Sequence, residues 1–358
     1  MITFILRRLL QGFLVLLGVI IIVFLLFKVM PDPAHMMLGQ RADIASVEAI
    51  NKDLGRNLPL TKRFILYLND LSPISINNPK TESSNIYIDT NKYGNYITLI
   101  NLSNQKSLIL KQPYLRRSYQ SKKKVSEILL DALPGTAILA FSSMLFATII
   151  GIFLGIIAAL KKNTLYDRFA LILSSLGTAA PSFFVAIIIA WIFAILLHNF
   201  TGLNWTGSLY RIDPFQGEVL DLKNLILPSI ALGIRPLSII VQLTRSSMLD
   251  VLNQNYIRTA TSKGLPKYTI IIRHALQNAI NPVLTAVSGW LASLLAGAFF
   301  VETIFSWHGI GKVTVDALST YDFPVVMGAV LIIAILFTTI NILLDITYGI
   351  LDPRVRLS

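Results

Sequence analysis

Cysteine is absent from all 358 residues, which excludes disulfides and thiolate metal sites. Charge is scarce: Asp, Glu, Lys and Arg make up 14% of the chain, where a soluble domain carries about a quarter. Acidic residues are scarcer still, 19 against 31 basic ones, for a formal net charge of +12. The histidines, His35, His198, His274 and His308, are scattered, with no spacing that suits a metal. No G-x-x-x-x-G-K-[ST] phosphate loop occurs; the "GIGK" at 309–312 is too short and runs into Val313. Nucleophile-elbow and zincin patterns are missing too. The sequence therefore assigns no catalytic residue, no metal ligand and no nucleotide site. It does not read as an enzyme.

What the chain has in plenty is apolar length. Hydrophobic residues make up 54% of it. Six runs, 9–30, 133–160, 169–197, 225–244, 283–303 and 325–351, are each long enough to cross a bilayer about 30 Å thick. The expected fold is an all-α integral membrane protein with six spans. Basic residues flank alternate ends. Arg7 and Arg8 precede the first run, Lys161, Lys162 and Arg168 follow the second, and Arg245, Arg258, Lys263, Lys267 and Arg273 follow the fourth. Arg354 and Arg356 end the chain. This bias predicts a multi-pass protein of the cell membrane with both termini cytoplasmic. The positive charge suits anionic lipid, and no basic–aromatic groove suggests nucleic acid.

The division expected is a first span (1–30), an external segment (31–126) and a five-span core (127–358). A cytoplasmic link at 245–282 belongs to that core. The external segment is basic, but long segments translocate largely regardless of charge. Within it, "SVEAINKDLGRNLPLTKRFILYLNDL" reads as two amphipathic helices. Residues 74–112 alternate like strands around Gly and Asn turns and predict a small β-containing insertion.

The cytoplasmic link has internal order. In "NYIRTATSKG", Asn255 to Gly264, either Asn253 or Asn255 suits a helix cap. Tyr256, Ala260 and Gly264 recur on one face, and small residues there permit close approach by another helix. Gly264 suits the left-handed position that ends a helix, and Pro266 cannot prolong it. A second helix follows. Its expected apolar stripe is Tyr268, Ile271, Ile272, Ala275, Leu276 and Ala279, with Arg273, His274, Gln277 and Asn278 opposite. Spacing alone leaves two readings open, a solvated connector and a surface that another protein grips.

The stretch "NYIRTATSKGLPKYTIIIRHALQNAINPVLT" resembles the EAA-type signature of ABC importer permeases, in the form found in the oligopeptide/dipeptide/nickel permease family. Ala260, Gly264 and Pro282 match; Thr259 stands in place of the general signature's Glu. "ILRRLLQGFLVLLGV", "SEILLDALPGTAILA", "LTRSSMLDVL", "VETIFSWHGIGKVTVDAL", "DFPVVMGAVLI" and "LLDITYGILDPRVRLS" resemble other parts of the same family. "MPDP" lacks the usual Gly, and His308 stands where Pro is usual.

The resemblance implies a type I importer permease. It implies as partners a second permease subunit, two cytoplasmic ATPases that use ATP and Mg, and an external substrate-binding protein or lipoprotein. Peptide is the implied substrate, and nickel or a metal chelate is the alternative. A proton-coupled secondary transporter is a rival from another class, but it requires buried carboxylates and matching halves. The signature implies that Asn255, Tyr256, Ile257, Arg258, Thr259, Ala260, Thr261, Ser262, Lys263 and Gly264 form the helix that couples to an ATPase. Arg235, mid-span among Pro228, Gly233 and Pro236, is a candidate for the translocation pathway. Pro181 is a candidate bend in the third span. Glu302 and Asp345 read as helix-end anchors, and Trp307 as an interfacial aromatic.

Overall fold

The computed structural model describes residues 2–29, 58–78, 86–88, 90–102, 106–213, 215 and 217–351. The chain divides into two compact bodies. One comprises Met1–Gly12, Ala132–Val313 and Ile335–Ser358; the other comprises Phe13–Asp131 and Thr314–Ala334.

Long apolar helices dominate. Among the described residues, four helices are long and apolar enough to cross a membrane, and a bent pair supplies a fifth candidate. The four lie in α1 (Ile2–Val29), α4 (Val125–Leu160), α8 (Lys223–Leu252) and α15 (Phe323–Leu351). Burial sorts them. Only 17% of the apolar window of α1 is buried, against 67% for α8. Thus α1 offers its side chains outward, while α8 forms the centre of the first body. Glycines let neighbours reach it. A Cβ at Gly155 would lie 2.5 Å from Thr244 Cβ, and one at Gly177 would overlap the Ser238 hydroxyl. Small residues at such crossings let dispersion contacts hold helices that lipid does not drive together.

Two expected spans are broken. The third is α5 (Leu165–Ala179) and α6 (Ser182–Ala190), which runs into a π-helical turn, Trp191–Leu196. The two halves meet at 113°. Ala180 is pushed to extended geometry (ψ 136°) by the ring of Pro181, which also has no N–H to donate. The short helix α7 (His198–Thr201) follows. Then comes a hairpin that alternation had not flagged, β4 (Tyr210–Asp213) paired with β5 (Gly217–Leu220). The fifth expected span divides at Ala298 into α12 (Asn281–Gly297) and α13 (Phe299–Ile304). After these, α14 (Ile310–Ser319) precedes α15. In the first body, Arg8 Nε lies 3.2 Å from the Asp345 carboxylate, so the start of α1 and the end of α15 share one end of the bundle.

In the second body, α2 (Leu60–Leu71) packs Phe64 and Tyr67 on Phe24 of α1, with ring centroids 5.0 and 5.7 Å apart. The other amphipathic helix expected from the sequence falls outside the described residues. Strands β1 (Ile74–Asn77), β2 (Tyr96–Leu102) and β3 (Lys106–Lys111) form an antiparallel sheet in the order β1-β3-β2, with α3 (Thr90–Tyr93) before β2. Its inner face is mixed: Ile109 is fully buried with Ile88 and Tyr93, and Ser75, Asn77, Ser107 and Lys111 are buried beside them, while Ile74, Ile97, Ile100 and Leu110 are exposed. The inner polar groups are largely paired. Ser75 Oγ and Asn69 Nδ2 donate to Asn77 Oδ1, and Tyr93 Oη donates to Asp70 Oδ1.

Lys111 is the costly member. Its Nζ sits 3.5 Å from the Tyr93 ring centroid and makes no hydrogen bond among the described residues. Burial pushes its amine down to about 8, only partly opposed by Asp70, with Lys92 adding repulsion. The unfolded chain therefore binds this proton more readily than the folded chain between about pH 8 and 10.5, so stability rises with pH across that window. Lys111→Met is expected to raise the unfolding temperature at pH 7 and to gain less at pH 10. A gain equal at both pH values would refute the account.

Candidate functional site

The polar link folds as the sequence suggests in outline, and differently in detail. Helix α9 (Asn255–Ser262) stands just past the end of α8. Neither asparagine caps it. Asn253 ends α8 and bonds back to Leu249 O, Asn255 is already helical, and the N-cap is Gln254, without a side-chain bond. The C-terminus is tightly made. Gly264 takes φ +77°. Its N–H donates to Thr261 O at 2.9 Å, and Leu265 N–H donates to Ala260 O at 3.4 Å. These paired bonds are a Schellman stop, which needs a residue tolerant of left-handed backbone.

The faces of α9 correct the expected one. Tyr256, Ala260 and Gly264 do not form a common outward surface. Ala260 is buried with Ile257, in a cluster containing Ala159, Met248, Ile270, Ala275 and Ala279. Ala260 is small because its own chain packs against it. The outward face carries Asn255, Tyr256, Arg258, Thr259, Thr261, Ser262 and Lys263. Tyr256 is steadied by Asn278, whose Nδ2 donates to Tyr256 Oη at 3.0 Å.

The second helix keeps most of the predicted stripe and loses its two flanking members. It begins as α10 (Lys267–Thr269), widens to a π-helix over Ile270–Leu276, and closes as α11 (Gln277–Ala279). Ala275 and Ala279 are buried, Ile271 and Leu276 pack against them, and Ile270 joins them through the wider turn, while Tyr268 and Ile272 are exposed. Arg258, Lys263, Lys267 and Arg273 are all exposed, giving this surface a strongly basic character.

The other candidates lie elsewhere. Arg235 is exposed on α8, with its guanidinium 5.8 Å from the Trp290 ring of α12. It stands about 25 Å along the axis from the end of α8, so it is no part of the α9 surface. Pro181 forms the N-cap of α6 at the 113° break.

Two arrangements escaped sequence reading. Glu302 is wholly buried. It accepts from Thr136 Oγ1 at 2.7 Å and from Lys312 N–H at 3.0 Å, while Ile310 N–H donates to Thr136 Oγ1 at 2.8 Å. A Cβ on Gly309 would lie 2.5 Å from the Glu302 carboxyl carbon, so the glycine is what admits the carboxylate. Trp307 is buried too, and its Nε1 donates to Gly135 O at 2.9 Å. It is a core tie, not an interfacial belt residue. The second arrangement is Asp167 with Arg245. Arg245 Nε reaches Asp167 Oδ1 at 2.5 Å, and Nη2 reaches Oδ2 at 2.8 Å. No local spacing links residues 78 positions apart. Among the described residues, no three His, Asp or Glu side chains gather as metal ligands.

Long apolar helices, with a short polar and basic helix just past the end of α8, define a multi-pass membrane protein. Residues 151–357 match the family described as "Binding-protein-dependent transport system inner membrane component". Residues 1–79 match the N-terminal component of such systems. The chain is 33% identical to the dipeptide transport system permease protein of Alkalihalophilus pseudofirmus, with 99% of this chain and 100% of that one aligned. It is 34% identical to a di/tripeptide permease of Pseudomonas aeruginosa over 99% of each chain. Against the dipeptide permease of Escherichia coli it is 38% identical, over 67% of this chain and 76% of that one. The chain belongs to the binding-protein-dependent transport system inner membrane component family. It is a permease subunit of the inner membrane and crosses it more than once.

Proposed function

We propose that this chain is the permease subunit of an ATP-driven importer that moves di- or oligopeptides handed over by an external binding protein. The relatives named as dipeptide and di/tripeptide permeases support peptide over nickel or a metal chelate. In this reading six segments span the membrane: the helices long enough by themselves, the bent α5–α6 pair and the shorter apolar α12. Both termini are cytoplasmic, in keeping with the basic flanks and the Arg8–Asp345 pair. A second permease subunit completes the pathway, and two separate ATPases bind ATP and Mg.

The observation that carries the proposal is α9. It is pinned on one side by Ile257 and Ala260, stopped at Gly264, and polar and basic on the other side. A connector that only returned the chain to the membrane would need none of this. ATP binding draws the ATPases together, α9 moves with them, and the membrane helices open outward. Hydrolysis resets the cycle. Arg235 lines the path and attracts the peptide carboxylate. An arginine exposed near mid-span needs water or a partner, and the pathway between two permeases supplies both.

The test is transport by the purified complex in proteoliposomes, with the co-purified binding protein's ligand identified by mass spectrometry. Peptide in the binding protein and vanadate-sensitive uptake that ignores a protonophore are expected. Bound nickel chelate, or uptake that collapses with the proton gradient, would overturn the reading. Arg235→Gln is expected to lower uptake about tenfold with assembly and ATPase activity kept. Unchanged uptake of every peptide tried removes Arg235 from the path.

A further inference from the structure

The Asp167–Arg245 pair joins the start of α5 to the part of α8 that leads to α9. Arg245 lies two turns before the end of α8, and Asp167 lies in the first turn of α5. The pair is bidentate, and the side chains are only 3% (Asp167) and 19% (Arg245) exposed. Asp167 is fixed from its own side as well, because Asn163 N–H donates to Oδ2 at 2.9 Å and Asn163 holds a left-handed backbone (φ +62°) to do so. An isolated surface ion pair is loose and contributes little. A planar guanidinium gripping both oxygens of an anchored carboxylate fixes distance and angle together.

The surroundings give this fixation a direction. One turn beyond Arg245, Met248 is fully buried in the cluster that receives Ile257 and Ala260 of α9. On the other side, α5 packs along α8 through Gly177 and Ser238, then ends at the break before Pro181. A push on α9 thus has a continuous packed route: α9 to Met248, up one turn of α8 to Arg245, across to Asp167, and along α5 to the bend.

We infer that Asp167 and Arg245 are positioning residues that bind α5 to α8 as one lever, so that movement of α9 reaches the Ala180–Pro181 bend instead of dissipating between the helices. The inference rests on the reading of α9 as the coupling helix. Neither residue touches peptide or nucleotide. Without the bond, α9 still docks and the ATPases still hydrolyse, but the bend no longer follows.

The experiment uses the full complex in proteoliposomes and reads three quantities: ATPase retained on the purified permease, ATP hydrolysed, and peptide transported per ATP. Asp167→Asn keeps size and local hydrogen bonding. Arg245→Lys keeps the charge and loses the two-pronged grip. Both are expected to retain the ATPases at wild-type level and to lower peptide transported per ATP by about tenfold. The exchange of both residues, Asp167→Arg with Arg245→Asp, is expected to recover part of that ratio. If wild type itself retains no ATPase, the coupling reading of α9 fails. If wild type is normal and both single variants keep the wild-type ratio, the lever fails. If both lose assembly instead, the pair is a folding contact and the inference is overturned.

Discussion

Gly135→Ala is expected to prevent stable folding of the permease, although the same exchange in a helix interior ordinarily helps. Glycine costs about 1 kcal/mol relative to alanine inside a helix. Gly135 lies within α4, one residue after Pro134. A Cβ there would overlap the carbonyl oxygen of His308, a backbone atom that no rotamer change can move away. The loop carrying His308 is held from several directions. Trp307 Nε1 donates to Gly135 O, Ile310 N–H donates to Thr136 Oγ1, and Thr136 donates to the buried Glu302. Relieving the overlap means parting these bonds and leaving a buried carboxylate short of donors. Overpacking alone costs typically 1–3 kcal/mol, and each buried polar group left without a partner adds about 1–3 kcal/mol. Gly18→Ala is the control, since no described residue lies within 4 Å of a Cβ there. It is expected to be neutral or slightly stabilising. Unfolding in detergent, followed by tryptophan emission and size-exclusion profile, compares the two. Equal behaviour of Gly135→Ala and Gly18→Ala would show that the loop yields and the close approach matters little.

That site also shows where sequence reading reaches its limit. The apolar runs were legible because a bilayer imposes length and composition on any segment that crosses it. The stop at Gly264 was legible because only a few residues tolerate its backbone. Packing faces were not. Whether Ala260 is small for a partner or for Met248 depends on residues far off in sequence. The π-turn at Ile270–Leu276 brings Ile270 inward and leaves Ile272 outside, an exchange that a regular period does not show. Trp307 looked interfacial by position, yet its indole is spent on a carbonyl 172 residues away. The sheet misleads for a related reason. Alternation reports that one face differs from the other, and the burial of Ser75 and Asn77 beside Ile109 follows from Asn69, Asp70 and Tyr93 on neighbouring elements. Pro181 was a visible bend, but the size of the break follows from how α5 and α6 each pack.

The correction at α9 separates two effects that a single class of substitution would confuse. Ala260→Leu adds bulk inside the cluster around Met248 and Ile257. It is expected to cost about 1–3 kcal/mol of stability and to lower the amount of folded permease. Gly264→Ala meets open space but must hold φ +77°, a strain of roughly 1–2 kcal/mol that frays the end of α9. Arg258→Glu and Ser262→Trp change only exposed side chains. Under the docking proposal they are expected to leave the unfolding temperature unchanged and to weaken ATPase retention at least tenfold, which is about 1.4 kcal/mol or more. Peptide uptake falls with it. Raised salt is expected to weaken retention further in wild type, because a basic face implies an acidic groove and exposed pairs are screened. Stability and retention should therefore move independently across the four variants. If Arg258→Glu and Ser262→Trp retain ATPase and transport like wild type while Ala260→Leu alone loses both, α9 is a packing element whose outward face meets nothing. The partner surface must then be sought on the exposed basic residues of the second helix, Lys267 and Arg273.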